Sequence, residues 1–295
     1  MEMQTICFCA GSDDNGRTVL SVLKHEMHIS ASMISRLKRE PYGIMLNGER
    51  VYVTHTLRQG DVLHAAFPAE CTASEDRNNA SQGFDILYED KYYLIINKPA
   101  GLSVQPVQDP DEITLEKYLI EYLHCVSRPH PVSRLDKGTS GLMTVAKNAY
   151  AHELLKRQMH TDGYYKEYRA ILAGCPASAE GEINAPIGFF EGSTYARCVR
   201  EDGAPSVSRY EILKSGGDTS YAKLIPVTGR THQLRVHMAY LGYPLLGDWL
   251  YGERSPYIER PALHSYYLRL KHPITGVLLE IICPPPADFE KILNS

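Results

Sequence analysis

Strand-like runs dominate the chain after residue 84 and limit what it can fold into. These runs are rich in β-branched and aromatic residues, and some alternate apolar with polar side chains. They occupy residues 164–174, 206–215, 220–229 and 264–283. Helical spacing occurs in fewer segments of this region, at 114–124, 148–160 and 230–242. Because strands outnumber helices and the two do not alternate strictly, the pattern predicts an α+β fold on a mainly antiparallel sheet.

The beginning of the chain has a different pattern. Residues 17–27 carry apolar side chains at helical spacing, and a second helix is predicted with Ser30 or Ser32 as its N-cap. Arg36 and Arg39 of that second helix are three positions apart, so we expect them to share one face.

A β-hairpin is predicted after the two helices. Asn47-Gly48 lies between alternating apolar runs, and a type I′ turn needs positive φ at both of its central residues. A third run at 61–67 could pair with the hairpin. A segment rich in polar and small residues follows and is typical of a linker. The predicted division is a small domain over 1–68, a linker over 69–83 and a large domain over 84–295.

The charge distribution is uneven. The net charge is −4, which argues against a nucleic-acid partner at first sight. Residues 17–60 nevertheless hold seven Lys/Arg against three acidic residues, and residues 128–169 hold eight against four. A basic face on an acidic protein and two ordinary solvated surfaces are equally compatible with these counts.

The sequence lacks the signals that are typical of several protein classes. No window approaches the ~18 consecutive apolar residues of a membrane span, and the first residues do not resemble a signal peptide, so we expect a cytoplasmic protein. The seven cysteines are scattered, which predicts reduced thiols. H-E-x-x-H fails twice, because Ile29 and Lys156 occupy the second histidine position, and no phosphate loop or dinucleotide motif is present. We therefore predict neither a metal nor a cofactor.

One short segment concentrates chemistry-bearing residues. In HPVSRLDKGTSGLM (130–143), Arg134 and Asp136 are two positions apart and would project to one side of an extended backbone. An aspartate is ionised at neutral pH, so it suits the role of a nucleophile or general base. A structural Arg-Asp pair that braces a loop is the alternative, and these residues alone favour it.

Four separated sequence blocks favour a catalytic role for Asp136 over the structural Arg-Asp pair. They are NKPAG (97–101), RLDKGTSGL (134–142), TGRTHQLRVH (228–237) and GDWLYG (247–252). In order and spacing they resemble the RluA-type RNA pseudouridine synthases, and the resemblance extends from residue 86 to about residue 283. Residues 17–67 are similar to the alpha-L RNA-binding domain, which often precedes the catalytic domain in that family.

The resemblance implies a reaction and roles for individual residues. It implies isomerisation of uridine in RNA to pseudouridine without a cofactor, with ribosomal RNA as the first candidate substrate, transfer RNA as the second, and a monomeric enzyme. Asp136 would be the nucleophile or base, Arg235 its ion-pair partner and Tyr168 the residue that stacks on the target base. The implied RNA contacts are Arg134, which would enter the space left by the flipped nucleotide, Lys98, Arg230, Thr231, Gln233, Arg36 and Arg39.

Two departures and two rival hypotheses accompany this interpretation. Many family members carry His where this chain has Ser133, and His where it has Gln105. One rival is a non-catalytic RNA-binding or ribosome-assembly protein on the same fold. The other is a carboxylate hydrolase, for which the four blocks supply no suitable second acid.

Overall fold

A computed structural model describes residues 3–68, 83–106, 109, 111–125, 128–159 and 161–293. The predicted linker lies outside the described residues except for Gly83. The strands are β1 (Met3–Cys9), β2 (Ile44–Leu46), β3 (Glu49–Arg50), β4 (Val62–Pro68), β5 (Asp85–Glu89), β6 (Tyr93–Lys98), β7 (His130–Pro131), β8 (Ser140–Ala146), β9 (Tyr164–Ala173), β10 (Glu180–Asn184), β11 (Ile187–Phe189), β12 (Arg197–Val199), β13 (Val207–Gly216), β14 (Thr219–Pro226), β15 (Leu263–Lys271) and β16 (Leu278–Ile282). The helices are α1 (Val19–His25), α2 (Ala31–Leu37), α3 (Leu115–Tyr122), α4 (Ala149–Gln158), α5 (Gln233–Tyr240) and α6 (Ala287–Leu293).

Residues 3–68 form an N-terminal unit with its own four-stranded sheet, in the order β1-β4-β2-β3. Asn47 and Gly48 have φ values of 50° and 86°, so the predicted hairpin between β2 and β3 is confirmed. The predicted third run is β4, which pairs with β2. Strand β1 was not predicted, although it pairs with β4 along its whole length.

Helix α2 begins as predicted but ends earlier. The hydroxyl of Ser30 accepts a hydrogen bond from the Met33 amide at 3.3 Å and caps the helix. The helix ends at Leu37, so Arg36 lies in its last turn and Arg39 lies in the turn that follows, beyond the helix on which both were predicted. The chain folds back tightly there, because a Cβ on Gly43 would approach the Leu37 carbonyl oxygen to 2.2 Å.

The large sheet of the remaining chain has ten strands, in the order β10-β13-β14-β9-β15-β8-β6-β5 with β16 beside β15 and β7 beside β8. Among the strands that the structure describes, β8 and β15 form the one parallel pair. The α+β prediction on a mainly antiparallel sheet is therefore confirmed. One face packs against α3 and α5, and the other packs against α4.

Helix α4 contributes to both hydrophobic cores. Its Tyr150 and Leu154 belong to the core of the N-terminal unit, whereas Ala151 and Leu155 pack against the large sheet. The Tyr150 hydroxyl also donates to the Met27 carbonyl at 3.1 Å. The helix is fixed at its start, because the predicted N-cap Asn148 accepts from the Ala151 amide at 2.7 Å. These contacts join the N-terminal unit directly to the large sheet.

Two further observations concern membrane-spanning helices and the state of the cysteines. None of the helices within the described ranges is long and apolar enough to cross a membrane. The described cysteines 7, 9, 175, 198 and 283 are free. Cys125 is disulfide-bonded, so the prediction of reduced thiols is wrong at that residue.

Candidate active site

Asp136 lies in the loop between β7 and β8, at an open groove of about 760 Å³. The groove is bounded by residues 131–136, by β9, by the end of β14 and by the beginning of α5. Two of the four sequence blocks, RLDKGTSGL and TGRTHQLRVH, therefore meet at this groove, although more than 90 residues separate Asp136 from α5 in the chain.

Asp136 and Arg235 form an ion pair at the floor of this groove. Arg235 Nη1 donates to Asp136 Oδ2 at 3.2 Å. Within the described residues the other oxygen, Asp136 Oδ1, accepts no hydrogen bond, and the side chain is 25% exposed. The carboxylate is thus held by one oxygen and remains partly exposed where it lines the groove.

Asp248 holds Arg235 from its buried side. The Nε and Nη2 atoms of Arg235 donate to the two carboxylate oxygens of Asp248, both at 2.7 Å. Burial disfavours the charged guanidinium, but the hydrogen bonds and negative charges of Asp248 and Asp136 outweigh this and raise the pKa of Arg235 above its ordinary value. Arg235 is therefore a permanent cation with a fixed orientation.

His232 forms a second contact to the same carboxylate. Its Nε2 lies 3.9 Å from Asp136 Oδ2, and its Nδ1 lies 2.7 Å from the Tyr251 hydroxyl. Its φ of 57° turns the backbone sharply at the N-cap of α5. Burial lowers the pKa of His232 against the attraction of Asp136, so the ring is neutral at pH 7.

Tyr168 lines the groove from β9 and is 8% exposed. Its backbone is paired with Leu224 on one side and Ser265 on the other, so the ring sits on the middle of the sheet. Burial raises the pKa of Tyr168, which keeps the phenol neutral. A neutral aromatic ring beside a carboxylate is a suitable surface for a flat base.

Lys98 does not line the groove. It is fully buried, and its Nζ donates to the backbone carbonyls of Pro99, Leu102 and Lys137 at 2.7, 2.8 and 3.4 Å. Burial lowers the pKa of Lys98 to about 7. Direct contact with RNA, as predicted for Lys98, is therefore incompatible with its position, and the side chain instead supports the loop that carries Asp136.

The other predicted RNA contacts fall into three groups. Arg134 and Arg230 are exposed and line the groove. Gln233 also reaches the groove, but its amide is engaged in four hydrogen bonds within the protein. The remaining three are exposed but lie outside the groove lining; they are Thr231, Arg36 and Arg39.

The groove is cationic although the chain carries a net charge of −4. Two carboxylates and six cationic side chains line it, namely Asp136, Asp162, Arg134, Lys156, Lys166, Arg209, Arg230 and Arg235. Such a surface suits a polyanion. Nowhere in the described part of the chain do three or more His, Cys, Asp or Glu side chains gather as a metal site.

Sequence reasoning missed Asp248, Tyr251 and Lys166. Asp248 and Tyr251 belong to the GDWLYG block, which was recognised without a role for either residue. The signal for Asp248 was its charge within an otherwise apolar segment, since a buried carboxylate needs a cationic partner. Nothing in the sequence marks Lys166 as buried.

Comparison with known proteins agrees with this geometry. Residues 92–240 match the family model described as RNA pseudouridylate synthase. The RNA pseudouridine synthase YjbO of Bacillus subtilis (strain 168) is 36% identical over 91% of this chain and 96% of its own length. The chain belongs to the RNA pseudouridylate synthase family.

Other relatives support the same assignment. Ribosomal large subunit pseudouridine synthase D of Pseudomonas aeruginosa is 35% identical, covering 81% of each chain. The solved structure of human RNA pseudouridylate synthase domain containing 1 has a TM-score of 0.58 and 30% identity, over 71% of this chain and 86% of that one. The protein is thus an isomerase that acts on RNA, as the four blocks implied, and the non-catalytic alternative is not supported.

Proposed function

We propose that Asp136 initiates the conversion of uridine to pseudouridine, as the nucleophile or as the base. The observation that carries this proposal is the Asp136 carboxylate, which Arg235 fixes through one oxygen and which is partly exposed at the groove. The reaction conserves all atoms. The bond from uracil N1 to the ribose C1′ breaks, a bond from C5 to C1′ forms, and a proton leaves C5 while N1 gains one.

The groove supplies what a swung-out nucleotide requires. Removing a base from its stack costs a few kcal/mol. Stacking on an aromatic ring returns about 1–3 kcal/mol per base, and we assign this role to Tyr168. Arg134, exposed at the mouth of the groove, would occupy the space that the base leaves in the RNA. The cationic lining would contribute phosphate contacts that weaken as salt rises.

We further propose ribosomal RNA of the large subunit as the substrate, with transfer RNA second. Support comes from the P. aeruginosa relative, because its name refers to the large ribosomal subunit. The N-terminal unit would act as a separate RNA-binding domain through Arg36 and Arg39, with 69–83 as the linker to a catalytic domain over 84–295. Such a substrate implies action in the cytoplasm. All groups around the groove come from one chain, so we propose that a monomer suffices.

The test uses unmodified transcripts of large-subunit ribosomal RNA and of transfer RNA. After incubation with the purified protein, pseudouridine is mapped by carbodiimide-blocked primer extension. We expect new stops in the ribosomal transcript. Stops confined to transfer RNA would reverse the substrate order, and the absence of stops in both would contradict the proposed substrates.

Asp136→Asn tests the catalytic role. It keeps the shape of the side chain and removes its charge, so we expect turnover to fall at least about a thousandfold while RNA affinity stays within about threefold. Single-turnover rates and fluorescence anisotropy measure the two quantities. Turnover within tenfold of wild type would contradict the role given to Asp136.

A further inference from the structure

Lys166 is a buried cation of the groove lining to which the proposed reaction assigns no individual contact. Its side chain extends from β9, is 8% exposed and lines the groove. Its Nζ donates a hydrogen bond to the hydroxyl of Ser133. Lys166 forms no ion pair with a carboxylate among the described residues, and the nearby Asp136 is paired with Arg235 instead.

Burial opposes the charge of Lys166 in the free protein, and among the described residues only the Tyr164 and Tyr168 side chains and the Ser133 hydroxyl offset it. A charge removed from water needs an opposite charge or several hydrogen bonds, and one neutral hydroxyl supplies only part of that. An ammonium group has three donor hydrogens, of which Ser133 accepts one. Lys166 therefore retains donors and a full positive charge directed at a groove that receives RNA.

Tyr164 provides a second observation at the same place in the groove. Its hydroxyl is buried next to the Lys166 ammonium group and makes no hydrogen bond of good geometry among the described residues, although the side chain lines the same groove. Lys166 Nζ lies 5.6 Å from the centre of the Tyr164 ring. A buried polar atom without a good hydrogen bond can accept a further partner, such as water or a bound group.

We propose that Lys166, Tyr164 and Ser133 form a subsite for one backbone phosphate of the substrate RNA. The ligand carries negative charge, because the unmatched group is a cation, and phosphate is the anionic group of RNA whereas uracil is neutral. The hydroxyls of Tyr164 and Ser133 donate to the phosphate oxygens beside the ammonium group. The proposal rests on the proposed function of the groove.

The position of the subsite relates it to the target base. Tyr164, Lys166 and Tyr168 are alternate residues of β9 and all line the groove. Positions two apart on a strand are separated by roughly 7 Å. A base stacked on Tyr168 therefore places its own or an adjacent phosphate beside Lys166. Ser133, the departure from the family's histidine, is small enough to leave room for that phosphate.

The first test measures salt dependence with Lys166→Met. The probe is a fluorescein-labelled single-stranded oligouridylate, with binding followed by anisotropy between about 50 and 250 mM NaCl. We expect the slope of log K against log salt to become shallower by about 0.7, the value for one phosphate contact on a single strand. Affinity should fall about tenfold. Lys91→Met, at an exposed site outside the groove, is the matched control and should behave as wild type.

The second test separates binding from a structural role. Because Lys166 has no charged partner, Lys166→Met should melt at or above the temperature of wild type. A lower melting temperature together with an unchanged salt slope would overturn the proposal. Tyr164→Phe removes only the buried hydroxyl, so it should fold normally and weaken oligouridylate binding about threefold. Unchanged binding in both Lys166→Met and Tyr164→Phe would also overturn the proposal.

The two proposals fail in different ways. The salt slope and the melting temperature need no turnover, so they judge the phosphate subsite independently of which RNA is modified. Failure of wild-type protein to form pseudouridine in ribosomal or transfer RNA contradicts the proposed substrates instead.

Discussion

Asp248 orients the Arg235 guanidinium, and its effect on the active site can be measured. Asp248 is fully buried and forms a bidentate pair with Arg235. Asp248→Ala would leave a buried cation with Asp136 alone, so we expect a loss of about 3–5 kcal/mol in unfolding free energy and a large loss of turnover. Urea denaturation and single-turnover kinetics measure these effects. A loss below about 1 kcal/mol with normal turnover would show that Asp136 holds Arg235 unaided.

Lys98 gives a prediction for the pH dependence of stability. Burial lowers the pKa of Lys98 to about 7, whereas the ordinary value is 10.5. Between these values the unfolded chain binds a proton that the folded chain does not, so the contribution of Lys98 to stability rises with pH, by at most about 1.4 kcal/mol per pH unit.

Lys98→Met lacks that titration. The unfolding free energy of wild type minus that of Lys98→Met should therefore increase from about pH 7 to about pH 9.5. Urea denaturation at several pH values measures both free energies. Other titrating groups cancel in the difference. Parallel pH profiles for the two proteins would contradict the burial argument.

At the scale of the secondary-structure element, α4 can be tested because its side chains pack into two different hydrophobic cores. Leu154 lies in the core of the N-terminal unit, and its neighbour Leu155 lies against the large sheet. Each substitution to alanine should cost about 2–5 kcal/mol, since both side chains are buried. Hydrogen exchange should rise mainly in α1 and β4 for Leu154→Ala and mainly in β6 and β8 for Leu155→Ala. The same exchange pattern in both variants would contradict the division.

Local sequence signals predicted the elements that are fixed by turns and helix caps. They did not predict strands that depend on pairing between distant segments. Asn47-Gly48, Ser30 and Asn148 each fix the backbone through their own turn or cap, so their positions followed from the sequence. Strands β1 and β8 were missed because their identity depends on partners far along the chain. The end of α2 was also misplaced, because the fold at Gly43 depends on a close backbone contact.

The same distinction applies to the site. The resemblance placed Asp136 and Arg235 together, and the structure gives 3.2 Å between them. Burial was not visible in the sequence, so Lys98 was assigned to RNA when its three acceptors are backbone carbonyls. Lys166 was passed over for the same reason, because a lysine on a strand is usually exposed.

At the scale of the whole molecule, RNA affinity should divide between the groove and the N-terminal unit. Replacing both Arg36 and Arg39 with Gln should weaken RNA binding and make the salt slope shallower by up to about 1.4, or 0.7 for each phosphate contact. The single-turnover rate at saturating RNA should stay within about twofold, because neither residue lies in the groove. Anisotropy titrations and rapid quenching provide the data. A reduced rate at saturation with an unchanged slope would refute a purely binding role.

The helix that serves both cores also has a consequence for how a target is selected. Tyr150 and Leu154 anchor α4 in the N-terminal unit, while His152 and Lys156 of the same helix line the groove. The contacts of α4 with both cores would hold the exposed Arg36 and Arg39 at a set position relative to Asp136. With the proposed RNA contacts at Arg36 and Arg39, the molecule would favour RNA whose folded backbone presents a phosphate at that spacing from the uridine. Discrimination would come from the architecture of the RNA around the site as much as from its base sequence.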